Sequence, residues 1–278
     1  MSNLQDLIQN SNLISMADIE KMISLEAVTI YKKYIEKTGD FSNQREARPN
    51  NFALALFINK LVQEGLHNKC TGLFYLASPN NNFEHIKYSI IGDNVIDRYS
   101  DYPTVRYDGT KIESRADLYD HQIIDGSLDK DLCLVFMMSK PSTYGFDWGG
   151  EDEVNHVHAF SSAGNADFFD QAIFKWNNGK NAAVSKSEDP QDPVGVYVIH
   201  VDGTSLDYRH RAVNLTKYVP RSCAKFCPSL LNYNTIKNPG NGTMKMYATF
   251  SSGIEGKGLT PSEITKIQQI FTEFEAYL

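Results

Sequence analysis

Apolar residues return at helical spacing near the start of the chain. Ser15 can cap a helix that has Asp18 at its third position, and apolar side chains then recur every three or four residues as far as Tyr34. Gly39 is predicted to end this helix, because glycine readily adopts the left-handed conformation that follows many helices. The same spacing predicts a second helix over residues 51–66.

The end of the chain carries a nearly ideal helix start. Thr260 fits the N-cap position, Pro261 the first helical position and Glu263 the third, which is the arrangement of a capping box. Apolar residues then recur at helical spacing and predict the buried side of this helix. They are Ile264, Ile267, Ile270, Phe271 and Phe274.

Strand patterns occupy the middle of the chain. Residues 132–138 are apolar throughout, which predicts a strand that is buried on both faces. Residues 194–201 and 244–250 predict two further strands. Residues 67–77 fit either a strand or a helix capped by Asn68, since a short apolar run has no period that distinguishes the two.

Residues 154–176 predict two short strands joined by a turn at Gly164-Asn165. Along the first strand, the period of two sends His156 and His158 to one face. The second strand ends at Asp170. A hairpin of this kind can hold an imidazole against the carboxylate that orients it.

Helical patterns therefore lie at the two ends of the chain, with strands between them. This order favours an α+β fold with a central antiparallel or mixed sheet, N-terminal helices and a C-terminal helix. A loop-like segment follows residue 176 and divides the chain into two parts. Residues 1–176 hold a helical N-terminus and a candidate catalytic core. Residues 177–278 form a strand-rich part that ends in a helix, and the two parts are compatible with one domain.

Composition excludes several classes of protein. The 278 residues are 41% hydrophobic and 22% charged, which is typical of a globular chain. A net charge of -7 argues against nonspecific binding of nucleic acid, which needs a basic surface. The basic cluster at residues 209–211 is interpreted as a solvated turn. The sequence contains no G-x-G-x-x-G motif and no P-loop, so we expect no nucleotide cofactor.

Cysteine content and the first residues bear on the compartment. Four cysteines in this length do not form a disulfide framework, so we expect reduced thiols. The N-terminal residues lack the basic segment and apolar core of a cleaved signal peptide. No stretch approaches the roughly 18 apolar residues of a membrane-spanning helix. We expect a cytoplasmic protein, or one secreted by a route without a cleaved signal peptide.

Cys70, His158 and Asp170 form the first candidate site. If a helix begins at Asn68, its positive N-terminal end favours the thiolate form of Cys70. His158 would act as the base, and Asp170 would fix the tautomer of its ring. Gln63 or Asn68 would donate to an oxyanion beside the thiol. This set predicts nucleophilic catalysis by cysteine.

The order of these motifs resembles that of papain-like bacterial effector proteases and papain-like toxin domains. The likeness covers residues 63–176. It rests on the cysteine at a predicted helix N-terminus, on His158-Ala159 in a strand and on Phe169-Asp170 at the end of the returning strand of the hairpin. The resemblance implies a cysteine-dependent hydrolase or an acyl-transferring effector that contributes to virulence and acts on a protein or peptide substrate. No cofactor is implied.

A metal site is the second candidate. His156 and His158 lie two residues apart on one strand face and can share an ion, as in a metal-dependent hydrolase. A third ligand would come from a more distant residue. The candidates are Glu151, Glu153, His200 and Asp202.

A binding surface without catalysis is the third candidate. Aromatic residues are concentrated in the segments before the hairpin: Tyr102, Tyr107, Tyr144, Phe146 and Trp148. Exposed aromatic side chains contribute strongly to recognition, because each removes a large apolar area from water. This pattern indicates a non-catalytic protein that binds protein or carbohydrate. Alternatively, these residues anchor loops on the edge of the domain.

Overall fold

A computed structural model gives the fold of the chain. It describes residues 16–38, 48–77, 86–93, 95–98, 104–106, 109–111, 118–120, 131–142, 148–151, 157–160, 172–176, 179–185, 187–218, 229–230, 242–251 and 258–277. The α-helices in these ranges are α1 (Met16–Met22), α2 (Leu25–Thr38), α3 (Arg48–Gln63) and α4 (Pro261–Glu275). A short 3-10 helix covers Leu66–Lys69. Within the described ranges, no helix has the length and apolar content needed to cross a membrane.

The first sheet contains eight strands. They are β1 (Cys70–Tyr75), β3 (Thr104–Arg106), β4 (Gly109–Lys111), β6 (Leu132–Lys140), β11 (Gly195–Asp202), β12 (Ser205–His210), β13 (Val213–Tyr218) and β15 (Thr243–Phe250). Their order across the sheet is β13, β12, β11, β6, β15, β4 and β3, and β1 pairs with β15 on the same side as β4. All of these pairings are antiparallel.

The second sheet contains seven strands. They are β2 (Ile96–Arg98), β5 (Leu118–Asp120), β7 (Trp148–Glu151), β8 (Val157–Phe160), β9 (Ala172–Trp176), β10 (Gly179–Ser185) and β14 (Ser229–Leu230). Their order is β10, β9, β8, β7, β14, β5 and β2, again with antiparallel pairing throughout. Both sheets contain strands from before and after residue 176.

Strand β6 shows that the first sheet separates two hydrophobic cores. Successive side chains of a strand point to opposite faces, and every residue from 132 to 138 is buried. Cys133, Val135 and Met137 join the cluster formed with the helices. Leu134, Phe136 and Met138 join the cluster formed with the second sheet. The predicted strand with two buried faces is therefore confirmed.

The helices cover one face of the first sheet. Helix α4 is capped by Thr260 in a complete capping box, and all five residues of its predicted apolar stripe are buried. Phe57 of α3 stacks on Phe274 at 4.5 Å between ring centroids and meets Phe271 edge to face at 4.9 Å. These ring contacts join α3 to α4 over the sheet, since aromatic pairs prefer such geometries. We call this side of the first sheet the helix side.

The predicted α+β fold with one central sheet is wrong. The described strands form two antiparallel sheets packed face to face, which is a β-sandwich with helices on the outer face of one sheet. Several strands of the second sheet are too short to show a period in the sequence, and β14 has only two residues. A pattern of apolar positions therefore could not reveal the second sheet.

Two local predictions fall at least partly within the described residues: the ambiguous segment at 67–77 and the hairpin at 154–176. The ambiguous segment at 67–77 contains a 3-10 turn followed by strand β1, so it is not a helix that begins at Asn68. Strand β8 lies in the predicted hairpin region, and it pairs with β7 on one side and β9 on the other. The predicted turn at Gly164-Asn165 lies outside the described residues, as do His156 and Asp170.

Candidate functional site

Cys70 lies in the hydrophobic core on the helix side of the first sheet. It is 9% exposed, and its Sγ donates to the Gly72 carbonyl at 3.4 Å. Burial raises the pKa of the Cys70 thiol well above its usual range. The residue also follows the C-terminal end of the 3-10 helix, where no positive helix end is available. Each feature disfavours the thiolate.

The other members of the proposed catalytic set do not collect around Cys70. Gln63 and Asn68 are exposed on the surface, whereas the thiol is buried. His158 belongs to β8, where its backbone is paired with Gly150 in the second sheet. The first sheet itself stands between that sheet and the helix side, where Cys70 lies. The prediction of a cysteine-dependent hydrolase or acyl-transferring effector is therefore wrong.

The metal candidate also separates into different regions. His200 lies on the helix side of the first sheet, whereas the strand that carries His158 is in the second sheet. Glu151 ends β7 of the second sheet, and His156 lies outside the described residues. Among the residues that the structure describes, no group of three His, Cys, Asp or Glu side chains is placed to hold a metal ion.

The aromatic candidates before the hairpin fall into two groups. Trp148 is fully buried between the sheets, and its Nε1 donates to the Tyr247 hydroxyl at 3.2 Å. Its prediction as an exposed recognition residue is wrong, because it fills the core of the sandwich against Phe136. Tyr102, Tyr107, Tyr144 and Phe146 lie outside the described residues.

Polar side chains collect instead where α4 leaves the edge of the first sheet uncovered. Residues directly opposite one another in antiparallel strands share a face, so the register of β11, β12 and β13 defines the group. The successive rows are Asp202, Ser205 and Tyr218; His200, Asp207 and Thr216; and Arg209 with Asn214. We call these eight residues the polar face.

Strand β13 forms the outer border of the polar face. Its side chains alternate, with Val213 and Leu215 packed against the sandwich core and Asn214 and Thr216 exposed on the helix side. Tyr218 continues the exposed row and is 69% exposed. Because β13 is the last strand in the order of its sheet, these three outer side chains have no further strand beside them among the described residues.

Arg209 is held rigidly in the last row of the polar face. Its Nε and Nη2 donate to Asp207 Oδ2 at 3.0 and 2.8 Å, and its Nη1 donates to Thr265 Oγ1 of α4 at 2.8 Å. Two charge-assisted bonds that converge on one carboxylate oxygen fix both partners in one orientation. Asp207 is 18% exposed in its side chain, and its Oδ1 has no hydrogen-bond partner among the described residues.

His200 forms the inner border of the polar face. Its Nε2 lies 3.3 Å from Asp131 Oδ2, and that oxygen also accepts from the Leu259 backbone N–H at 2.7 Å. Ser251 Oγ donates to the other carboxylate oxygen at 3.4 Å. An ionised carboxylate can only accept, so Nε2 of His200 is the donor in this pair. Asp131 therefore orients the His200 ring from behind the polar face.

Sequence reasoning did not find the polar face, although one signal was present. The run from 213 to 217 alternates between apolar or long side chains and short polar ones, as a half-exposed strand does. The interpretation of residues 209–211 as a solvated turn is wrong for the first two, since Arg209 and His210 are buried in β12 and only Arg211 is exposed.

Comparisons with known proteins find likeness in structure alone. No family model and no curated protein matches the sequence. Domain 4 of an extracellular arabinanase from Geobacillus stearothermophilus, solved with arabinotriose, has a TM-score of 0.45 and 14% identity, over 72% of this chain and 98% of that domain. The exoplasmic domain of VIP36, solved with Ca²⁺ and mannose, has a TM-score of 0.34 and 10% identity, over 66% and 92%.

A sialidase from Trypanosoma rangeli has a TM-score of 0.45 and 8% identity, over 81% of this chain. The chain spans 39% of that sialidase. The buried thiol and the two-sheet architecture make the resemblance to papain-like effector proteases and toxin domains wrong.

Proposed function

We propose that the protein binds carbohydrate through the polar face. The observation that carries the proposal is the side chain of Tyr218, which is 69% exposed at the end of a row of hydrogen-bonding side chains. An aromatic ring offers a flat apolar surface for the C–H face of a sugar, while its hydroxyl group stays in contact with water. Ser205 and Asp202 extend the same row inward.

The chemistry around Tyr218 matches the hydroxyl groups of a sugar. Hydroxyl, amide and carboxylate side chains stand on adjacent strands, and sugar hydroxyls can both donate to and accept from them. Strands lie about 4.8 Å apart and alternate residues about 6.8 Å apart, so the face measures roughly 10 by 13 Å. This area suits a short oligosaccharide lying across the strands.

The polar face is organised before any ligand arrives. Arg209 and Asp207 fix each other, Arg209 is also bonded to α4, and Asp131 orients His200. Side chains that are already ordered lose little further freedom on binding. The strands of the sandwich hold the rows at fixed spacing, which favours recognition of one arrangement of hydroxyl groups.

The test is a glycan array followed by calorimetric titration with the oligosaccharide that binds best. Tyr218→Ala should weaken binding at least about tenfold, because loss of an aromatic side chain that anchors a ligand typically costs more than about 1.4 kcal/mol. The thermal midpoint should change little, since the side chain is exposed.

Leu25→Ala provides the matched control. Leu25 is an apolar residue of α2 that is 81% exposed and lies outside the polar face. This variant should bind as the wild type does. Absence of binding to any glycan, or equal binding by Tyr218→Ala and the wild type, would refute the proposed function.

A further inference from the structure

We infer that the polar face selects neutral sugars and excludes acidic ones. The inference rests on the proposed function and concerns the charge of the ligand. It follows from the balance of charges on the polar face, from the position of Asp202 and from the hydrogen bonds of Arg209.

The cationic side chain on the polar face is already neutralised. Arg209 directs Nε and Nη2 to the same oxygen of Asp207 and Nη1 to Thr265, and its side chain is only 9% exposed. Lys217 of β13 points away from this face and pairs with Glu188 at 2.8 Å. Among the described residues of the polar face, no lysine is present to receive an anionic ligand.

Carboxylates remain after that pairing. Asp202 is exposed at the end of β11, and the buried Asp131 lies beside it under the start of α4. The two side chains come close together beside Gly258, where an added Cβ would stand 2.6 Å from Asp202 Oδ2 and 3.5 Å from the Asp131 Cβ. Two carboxylate side chains therefore approach one glycine, and the inner end of the polar face is negatively charged.

This negative charge favours the binding of neutral sugars over that of acidic sugars. The hydroxyl group of a neutral sugar can donate to Asp202, and charge-assisted bonds of this kind are short and strong. A carboxylate or sulfate group placed on the same face instead meets like charge, which is a strong source of discrimination between ligands.

The experiment compares matched pairs of oligosaccharides by calorimetry. Each pair has the same length and linkage, and one member carries a hydroxymethyl group where the other carries a carboxylate. At low salt, the neutral member should bind at least about tenfold more tightly. Asp202→Asn should reduce that ratio, and 0.5 M salt should reduce it as well, because exposed charges are screened.

Asp192→Asn is the control for a general change in net charge. Asp192 is 63% exposed and precedes β11, at the opposite end of that strand from Asp202. This variant should leave the ratio unchanged. A change equal to that of Asp202→Asn would assign the selectivity to overall charge and overturn the inference.

The failure of this inference can be distinguished from failure of the proposed function. Equal or tighter binding of the acidic member, lost on Tyr218→Ala, would overturn the selectivity but leave carbohydrate binding at the polar face intact. Absence of binding by both members, or binding that Tyr218→Ala does not weaken, would overturn the proposed function and this inference with it.

Discussion

Two buried pairs of histidine and aspartate lie on neighbouring strands but on opposite faces of the first sheet. His210 of β12 pairs with Asp189 on the side of the sandwich core. His200 of β11 pairs with Asp131 on the helix side. The residue types are identical, whereas the surroundings differ. The groups around such a pair, and not the pair itself, therefore decide whether it is enclosed in the core or borders a surface.

Both ring nitrogens of the His210 pair have hydrogen-bond partners among the described residues. Nδ1 of the ring lies 2.7 Å from Asp189 Oδ2, and Nε2 lies 3.2 Å from the Val194 carbonyl oxygen. The Tyr197 ring stacks on it at 3.9 Å between centroids. This pair therefore fastens the connector between β10 and β11 to β12.

Tyr208 completes the closed pair. Its hydroxyl donates to Asp189 Oδ2 at 2.6 Å. Burial, together with the nearby Tyr197 and Asp189, raises the pKa of Tyr208 well above its usual range. The hydroxyl therefore remains a donor, and Asp189 serves two donors with one oxygen. The His200 pair has a longer contact and borders the polar face, where a ligand can approach.

The largest expected effect is that of Asp189→Asn on stability. The change removes the charged acceptor shared by the Tyr208 hydroxyl and the His210 ring. Each buried hydrogen bond to a charged group typically contributes about 1.5 to 3 kcal/mol, so the loss should reach about 3 kcal/mol. Urea denaturation should show the loss as a lower midpoint with an unchanged slope. Asp192→Asn, in the same connector but 63% exposed, should stay within about 0.5 kcal/mol of the wild type. Equal stability of the two variants would show that the closed pair is dispensable.

The matched change Asp131→Asn should cost less, about 1 to 2 kcal/mol. An amide oxygen can still accept from the Leu259 N–H, so only the charge and one orientation are lost. Because Asp131 positions His200, the same variant should also weaken oligosaccharide binding, whereas Asp189→Asn should not. Stability by urea denaturation and affinity by calorimetry measure the two effects. Weaker binding by Asp189→Asn together with unchanged binding by Asp131→Asn would show that His200 and Asp131 do not support the binding site.

The contrast between the two faces also explains which features the sequence could reveal. The capping box at Thr260 and the apolar stripe of α4 depend on residues within one helix, so they are visible locally and are confirmed. The polar face depends on the register of three strands. Tyr218 meets Asp202 only through Ser205 of β12, and no local pattern encodes that pairing.

The error over Cys70 has a similar origin. A short apolar run fits a strand as well as a helix, and the choice of a helix placed the thiol at a positive helix end. In the structure, β1 pairs with β15, which lies more than 170 residues later in the chain. Long-range pairing buried the thiol and removed the chemistry that the local interpretation had assigned to it.

The smallest expected effect concerns the helix that borders the polar face. Thr260→Ala removes the side chain that accepts from the Glu263 N–H, and loss of an N-cap typically costs about 1 kcal/mol. Thr272→Ala, at an exposed position inside α4, should be neutral or slightly stabilising, because alanine favours helix. Thermal unfolding of both variants measures the difference. Equal effects of the two variants on thermal unfolding would show that the capping box does not stabilise the helix at the border of the polar face.

The pH dependence of the same helix start follows from Glu263. Partial burial opposes ionisation, but hydrogen bonds from Lys69 and from the backbone and hydroxyl of Thr260 hold the pKa of Glu263 below its usual value of 4.5. A lowered pKa in the folded state gives stability that is complete above pH 4.5 and declines as the pH falls through the folded value. Glu263→Gln should therefore be less stable than the wild type at pH 7, and the difference should shrink below pH 4.5. A difference that stays constant down to pH 3 would mean that the amide keeps the same bonds and that the charge of Glu263 contributes nothing to the border of the polar face.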